Sequence, residues 1–276
     1  MLELKKGLDN FQIKMLALIL MVVDHIHYIL GSQLGVPLWF TQLGRLSAPL
    51  FIYMTAQGMR HTRNPKKYVS RLYIAFVLMG IGNQLVNTYL PHPMGYPIIN
   101  NIFGTLFLIT FYIYMGKEIK ANWLSKKTPQ VFMNIIGMAI PILGSFLTLS
   151  AMNGGQIKLM QGLMLLLPTP LFVEGGFLMV IMGIGFYLVG TSKIKLSVFY
   201  SLFSLFLLYA SSGGNFTYEN LFLINFQWLM VFSLPIMLLY NQQKGKSMKA
   251  FFYIFYPAHI YILLLISILI GPVAMG

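Results

Sequence analysis

The chain has 276 residues, of which 57% are hydrophobic and only 9% are charged, whereas about a quarter of a soluble domain is charged. This composition excludes an ordinary water-soluble globule, and it excludes a disordered chain, which needs low hydrophobicity and high charge. The formal net charge is +13. The basic residues stand in short clusters between long apolar runs, a pattern typical of polytopic membrane proteins and not of nucleic-acid-binding proteins. The sequence contains no cysteine, which excludes disulfides and thiolate chemistry.

Nine apolar stretches are long enough to cross a bilayer as helices, which takes about 17–25 residues. They cover residues 10–31, 40–59, 71–90, 98–116, 130–150, 174–191, 195–211, 220–240 and 250–271. No small-residue cleavage site follows the first stretch, so we expect it to be a retained helix. The segment 159–172 is short and ends in Pro168 and Pro170, which predicts a re-entrant or interfacial piece. The sequence therefore predicts an all-α fold, a polytopic membrane helix bundle of about nine transmembrane helices in a single domain over residues 1–276.

The distribution of basic residues predicts the orientation of this bundle. If the N-terminus with Lys5 and Lys6 lies in the cytoplasm, the inner connections hold nearly all remaining Lys and Arg, and the outer connections hold only Lys158. Such an asymmetry is the positive-inside pattern and predicts a cytoplasmic N-terminus. A tenth span at 159–172 would move the basic residues that follow it to the wrong side.

Three charged or titratable side chains fall inside the first two predicted spans, where a charge costs roughly 2.5–3.5 kcal/mol on insertion scales. Asp24 and His25 lie in the first span and Arg45 lies in the second. At 1.5 Å per residue, His25 and Arg45 both lie about 10 Å below the outer boundary, so the three residues can share one layer. An Asp24–Arg45 ion pair that only joins two helices explains these charges as well as a catalytic role does.

Helical spacing links His25 to Lys14 and separates it from His27. Lys14 and His25 are eleven residues apart, which places them on one stripe of the helix, roughly 16 Å apart. One elongated ligand that enters from the cytoplasm can contact both, although Lys14 alone would be explained as an ordinary interface lysine. His27 points about 200° away from His25. Asp24 and His27 share a face but have no third ligand, so we expect no metal site.

Further polar residues in the other spans are candidates for substrate binding. The residues predicted to bind the substrate are Asn83, Asn87, Asn101, Glu174 and His259. The three amides and their polar neighbours fit a polar cavity in the outer half of the membrane, and His259 lies near mid-depth. The alternative is structural, because amides often join helices and a carboxylate at the start of a helix is often only a cap.

Three segments carry a resemblance to a known family. These are LDNFQIKMLALILMVVDHIHYILG, LGRLSAPLFIYMTAQGMRHTRNPKKYVSRLYIAF and FYIFYPAHIYILLL. They resemble the TraX family, polytopic proteins named for the enzyme that acetylates the N-terminus of F-type conjugative pilin. That family is similar to membrane acyltransferase family 3, in which a basic residue precedes the catalytic helix-1 histidine by eleven positions. Lys14 and His25 match this pattern, so the resemblance implies that His25 is catalytic.

The resemblance implies an integral membrane acetyltransferase that uses cytoplasmic acetyl-CoA. The acceptor would be extracytoplasmic or membrane-embedded, such as the N-terminal amine of a pilin-like peptide or another cell-envelope acceptor, and the membrane would be the bacterial inner membrane. His25 would act as the base or as an acyl carrier, assisted by Asp24 and Arg45. The basic residues expected to bind acyl-CoA are Lys14, Arg60, Arg63, Lys67 and Arg71.

Two alternative functions remain open for the sequence. A proton-coupled transporter would use the same buried polar residues, but the sequence shows no inverted repeat. A non-catalytic membrane assembly factor would use them only to hold helices together. In each case the lipid bilayer is a partner and no nucleic acid is expected.

Overall fold

The computed structural model describes residues 7–272; Lys5 and Lys6, which contribute to the predicted orientation, lie outside the described residues. The elements in chain order are α1 (Asn10–Leu34), α2 (Trp39–Gly44), α3 (Ser47–His61), α4 (Pro65–Tyr89), α5 (Ile102–Leu124), α6 (Thr128–Asn153), α7 (Ile157–Leu166), α8 (Gly176–Val189), α9 (Lys193–Ser212), a π-helix (Glu219–Ile224), a 3-10 helix (Phe226–Ser233), α10 (Leu234–Leu238) and α11 (Lys249–Ile270). The all-α prediction is confirmed.

Six of these helices, α1, α4, α5, α6, α9 and α11, are long and apolar enough to cross a membrane. Each corresponds to one of the predicted spans, usually with a few additional residues at its ends. The protein is therefore a membrane-embedded, multi-pass helical bundle.

The other three predicted spans are shorter or interrupted. The stretch 40–59 is divided into α2 and α3 at Arg45 and Leu46. The stretch 174–191 begins its helix only at Gly176, because Gly175 and Gly176 adopt positive φ angles of 77° and 65°. The stretch 220–240 is a succession of π, 3-10 and α turns. Such irregular backbone is tolerated at membrane depth only where protein or water satisfies its polar groups.

The short apolar segment that was predicted to be re-entrant contains α7, which ends at Leu166. The backbone at Leu167 is extended, as expected for a residue that precedes a proline. The helix therefore stops where Pro168 was expected to end it, and its depth in the membrane stays a prediction.

The chain folds into two compact units. The first unit contains the described residues up to Met54, Val86–Ile98 and the described residues from Val189 onward. The second unit contains Thr55–Leu85 and Ile99–Leu188. In the second unit α6 packs against both α5 and α7. A small residue of α5 allows another close approach in this unit, because a side chain at Gly104 would begin 3.0 Å from atoms of Phe76 in α4 and of Val173.

In the first unit, α1 packs against α2 and α11. The α1–α11 pair is parallel, because Phe11 contacts Phe252 near the start of both helices and Gln33 contacts Ser267 near their ends. Two parallel helices cross a membrane in the same direction, so the number of crossings from α1 to α11 is odd. The six long helices alone would give an even number. The nine predicted spans have the odd number that this arrangement requires, and which of the shorter or interrupted helices cross stays a prediction.

A buried hydrogen-bond network in the first unit holds the loop after α4 against α1 and α11. The Met94 backbone N–H donates to Nδ1 of His92 at 3.1 Å, so Nε2 of that ring carries the proton and donates to the Ile29 carbonyl at 2.9 Å. Nε2 also lies 2.9 Å from the Ser267 hydroxyl, which donates to Gln33 Oε1 at 2.6 Å. With Nε2 protonated, this Ser–His contact cannot activate the serine and is structural.

We predict that cysteines introduced at Ser70 and Pro91 react with a membrane-impermeant thiol reagent from opposite sides of the membrane. Both positions are exposed. Ser70 lies near the start of α4 and Pro91 lies just beyond its end, with about 30 Å of helix between them, which is the thickness of the hydrocarbon core. Since the native chain has no cysteine, labelling reports only the introduced thiols. In intact cells Pro91→Cys should react and Ser70→Cys should react only after permeabilisation. Equal reactivity of both in intact cells would contradict the topology.

Candidate functional site

Two histidines from the parallel helices α1 and α11 form a buried pair. Nδ1 of His25 lies 2.6 Å from Nε2 of His259, and the two ring planes are nearly parallel, at 6°. Only 3% of His25 and 6% of His259 is exposed. Tyr256 presents its ring edge to both imidazoles. His259 was predicted to bind the substrate, and the structure instead places it directly against the predicted catalytic histidine.

Lys14 and His25 share the face of α1 that meets α11, as their spacing predicted. The Lys14 ammonium lies 5.8 Å from the centre of the Phe252 ring, a cation–π contact. The side chain of Lys14 is half-buried, so it lies at the edge of the same interface that buries His25. The two residues thus occupy one stripe, and both contact the last helix.

The predicted ion pair between Asp24 and Arg45 is present, with Nη2 of Arg45 3.3 Å from Oδ1 of Asp24. Thr41 joins the pair, because its hydroxyl donates to Asp24 at 2.6 Å and accepts from Arg45 Nη2 at 2.6 Å. Arg45 also donates to Gln227 Oε1 at 3.3 Å. A side chain at Gly44 would overlap the Asp24 carboxylate, so this glycine allows α2 to approach α1.

These contacts favour the structural explanation of the ion pair. The guanidinium of Arg45 already binds the side chains of Asp24, Thr41 and Gln227. Among the described residues, Asp24 makes no hydrogen bond to His25, and the imidazole is oriented by His259 instead. The catalytic roles of Asp24 and Arg45 stay predictions.

His27 points away from His25, as expected from the helical spacing. Its Nδ1 lies 3.0 Å from the carbonyl oxygen of Val36, and a side chain at Gly31 would begin 3.5 Å from its ring. His27 therefore contacts the backbone that follows the C-terminus of α1. It provides a matched control for His25.

The predicted substrate-binding amides bind backbone groups. Asn87, in the first unit, donates to the Ile98 carbonyl at 2.9 Å and accepts from the Ile98 N–H at 2.8 Å. Asn83, in the second unit, donates to the Asn100 carbonyl at 2.9 Å, and Asn101 donates to the Phe76 carbonyl at 2.9 Å. The bonds of Asn83 and Asn87 satisfy irregular backbone at residues 98–100, and Asn101 binds a carbonyl within α4, so all three favour the structural explanation. Their role in substrate binding stays a prediction.

Glu174 caps a different helix from the one that it was expected to begin. Its Oε2 accepts a hydrogen bond from the backbone N–H of Asn101 at 2.8 Å, and Asn101 is the N-cap of α5. Its own backbone carbonyl accepts from the Thr105 hydroxyl. The carboxylate therefore satisfies a donor at the N-terminus of α5, where a negative charge is favourable.

Four of the residues predicted to bind acyl-CoA lie between the last turn of α3 and the second turn of α4, all in the second unit. Two of them are exposed and two are half-buried. Arg63 and Lys67 are exposed. Arg60 and Arg71 are half-buried, and the Nε atom of each is inaccessible to solvent with no hydrogen-bond partner among the described residues. In that part of the chain, neither guanidinium lies within salt-bridge distance of a carboxylate. These are unpaired cationic donors, the property expected of an anion site.

Lys117 and the Tyr187 ring lie beside Arg60, and sequence reasoning did not identify either of them. We call Arg60, Arg63, Lys67, Arg71 and Lys117 the basic cluster. The guanidinium of Arg60 lies 4.7 Å from the centre of the Tyr187 ring, and the ammonium of Lys117 lies 5.2 Å from the same centre. Lys117 also donates to the Met59 carbonyl at 3.0 Å. No sequence signal linked them, since Arg60 and Lys117 are far apart in the chain and meet at the Tyr187 ring of α8.

The structure thus collects six of the predicted site residues in the first unit and seven in the second. The first set is Lys14, Asp24, His25, Arg45, Asn87 and His259, and the second set is Arg60, Arg63, Lys67, Arg71, Asn83, Asn101 and Glu174. The histidine pair and the basic cluster are therefore described as two separate candidate sites.

We predict that Asp24→Asn and Arg45→Gln each lower the free energy of unfolding of the purified protein by about 1–3 kcal/mol. Each substitution leaves a partly buried polar partner unsatisfied. The double variant should lose less than the sum of the two, since it removes both charges together. The measurement is the unfolding midpoint in detergent, with Lys67→Gln as the exposed control. Strictly additive losses would contradict the ion pair.

Comparison with known proteins identifies a family. No curated protein and no solved structure matches the chain. The family model described as TraX protein matches residues 10–267, a range that runs from the first residue of α1 almost to the end of α11. This range includes the histidine pair, the ion pair and the basic cluster, and it covers most of the sequence. The chain therefore belongs to the TraX family.

Proposed function

We propose that this protein is an integral membrane acetyltransferase with His25 as its catalytic residue. The observation that carries the proposal is the buried His25–His259 pair in α1 and α11, two helices that are each long and apolar enough to cross a membrane. Ionisable side chains inside membrane spans are costly, and they often mark functional sites. Membership of the TraX family, named for pilin acetylation, supports the same activity.

The donor in this proposal is cytoplasmic acetyl-CoA, and the acceptor is an amine or hydroxyl outside or within the membrane, such as a peptide N-terminus. The acceptor attacks the thioester carbonyl, the new C–N or C–O bond forms, and the C–S bond breaks. His25 takes the proton of the acceptor and returns it to the leaving CoA thiolate, so the products are the acetylated acceptor and CoA-SH. A base of this kind is typically worth a hundredfold or more.

The unpaired cationic donors of Arg60 and Arg71, with Lys117, support binding of the CoA phosphates in the second unit. Arginine matches phosphate oxygens with several parallel N–H donors, and acetyl-CoA presents several such groups. The exposed Arg63 and Lys67 fit the positive-inside pattern without a ligand. Arg60 and Arg71 are less simply explained by orientation alone, because orientation does not require their Nε atoms to be buried.

The site is placed in a bacterial inner membrane in this proposal, with the basic cluster in the cytoplasm. The positive-inside distribution supports that orientation, and cytoplasmic acetyl-CoA requires it. Lys14 lies on the stripe of α1 that leads towards His25, so we propose that it contacts the donor as well.

We predict that His25→Ala lowers acetyl transfer by about a hundredfold or more through loss of the base, while the protein remains folded. Activity is measured as CoA-SH released from acetyl-CoA in the presence of peptides with free N-termini. The native protein has no cysteine, so a thiol reagent detects CoA-SH without background.

The matched control is His27→Ala, which removes a histidine from the same helix and should retain most of the activity. N-acetylated peptides, which lack the acceptor amine, control for the substrate. Near-normal turnover by His25→Ala would reject His25 as the catalytic residue. No CoA-SH release by the native protein with any acceptor, together with proton-coupled uptake in proteoliposomes, would favour the transporter.

We also predict that the buried and exposed basic residues differ in their contribution to acetyl-CoA binding. Arg60→Gln with Arg71→Gln should largely abolish the thermal stabilisation of the protein by acetyl-CoA, because ligand binding to the folded state raises its stability. Arg63→Gln with Lys67→Gln removes the same charge and should have a smaller effect, greatest at low salt. Equal losses in both pairs would show that only the net charge of the segment matters.

A further inference from the structure

We infer that His259 is a positioning residue, which holds His25 in the tautomer whose Nε2 carries a free lone pair. The inference deepens the proposed function, since it rests on His25 as the base. It derives from the chain of hydrogen bonds that runs from the backbone of α11 through both imidazoles.

The first step fixes the tautomer of His259. Its Nδ1 lies 2.9 Å from the carbonyl oxygen of Phe255. A carbonyl oxygen can only accept, so Nδ1 of His259 must carry a proton. In the neutral ring Nε2 is then an acceptor with a lone pair. The opposite tautomer would place two lone pairs against each other at this distance.

The second step fixes the tautomer of His25. Since Nε2 of His259 is an acceptor, the contact of 2.6 Å between the rings requires His25 to donate through Nδ1–H. Nε2 of neutral His25 is therefore unprotonated, and the one hydrogen bond that this side chain makes within the described part of the chain uses Nδ1. That nitrogen is the basic atom of the pair.

A doubly protonated His259 is the arrangement that would reverse this assignment. It would place a positive charge on a side chain that is 6% exposed, and among the described residues no carboxylate lies within salt-bridge distance of it. An unpaired buried charge is strongly unfavourable. The same argument applies to His25, which is 3% exposed and has no carboxylate within salt-bridge distance among the described residues, so the resting pair is two neutral imidazoles.

The orientation of the His25 ring is also fixed by His259. The rings of His25 and His259 are parallel within 6° and their centroids are 4.9 Å apart, a separation that a 2.6 Å N···N contact allows only when the bond lies close to both ring planes. The His259 ring stacks on Phe255 at 5.3 Å and 14° and meets the edge of Tyr256. These contacts hold the acceptor nitrogen in place, and the acceptor in turn holds the His25 ring. An inverted His25 ring would lose this bond.

The other buried histidine of the same unit has a different arrangement. Nε2 of His92 is protonated and donates to a backbone carbonyl, and its Nδ1 accepts a backbone N–H. Both ring nitrogens of His92 are thus occupied, and it has no lone pair to offer. The His25–His259 pair leaves one basic nitrogen unoccupied, which is what a general base requires.

His259→Phe and His259→Gln test the positioning role by turnover. Phenylalanine keeps an aromatic ring but removes the acceptor, and glutamine can present an amide oxygen to His25 Nδ1–H. We expect His259→Phe to lower kcat by about tenfold or more, less than the loss of the base itself, with acetyl-CoA affinity unchanged. His259→Gln should recover most of that loss. In a His25→Ala background neither substitution should lower the residual rate further.

A second readout tests the tautomer without activity. Nitrogen-15 chemical shifts of labelled histidine distinguish protonated from unprotonated ring nitrogens, and the chain has only five histidines, which single substitutions can assign. We expect Nδ1–H on both His25 and His259 in the native protein. In His259→Phe, His25 should populate both tautomers.

The two readouts separate the inference from the proposed function. An Nε2–H tautomer of native His25, or His259→Phe turnover equal to that of His259→Gln, would overturn the positioning role even if acetyl transfer is intact. If the native protein transfers no acetyl group, the proposed function fails, and the chemical shifts still decide whether His259 sets the tautomer.

Discussion

The parallel packing of α1 against α11 is the constraint on which the candidate catalytic site depends. It joins the first and last long helices of the chain and buries a polar seam that runs from Lys14, through His25 and His259, to Gln33 and Ser267. Each polar group in this seam meets a partner from the other helix or its connecting loop. In a bilayer such partners replace water, so the seam both holds the helices in register and determines which imidazole nitrogen remains basic.

The same requirement explains most polar residues elsewhere in the membrane segments. Asn83 and Asn87 bind backbone carbonyls of an irregular segment, Asn101 binds a carbonyl of α4, and Glu174 satisfies the N-terminus of α5. The Asp24–Arg45 pair stands where the second predicted span is broken into α2 and α3. Most of these groups stabilise local backbone. By contrast, the described residues form no hydrogen bond with His25 Nε2 or with the guanidinium Nε atoms of Arg60 and Arg71. Function is best sought at the groups that the fold leaves unsatisfied.

Much of this organisation follows from composition and spacing. Nine apolar stretches and the near absence of acidic residues determine a polytopic helical membrane protein. Eleven residues at 100° each determine that Lys14 and His25 share a stripe and that His27 does not. Complementary charges at equal depth predicted the Asp24–Arg45 pair. These properties are local or periodic, so a single sequence contains them.

Tertiary structure decided the partners. Nothing in the spacing of His25 and His259, 234 positions apart, indicated that their rings meet, because that contact depends on α1 and α11 packing in parallel. Arg60 and Lys117 likewise meet at the Tyr187 ring of α8. Hydropathy also did not predict the interruptions of the second and eighth spans or the late start of the sixth. Hydropathy measures how apolar a segment is and not whether its backbone stays helical. The contacts between distant helices, and not the residues themselves, decided which polar groups are satisfied and which remain available for chemistry.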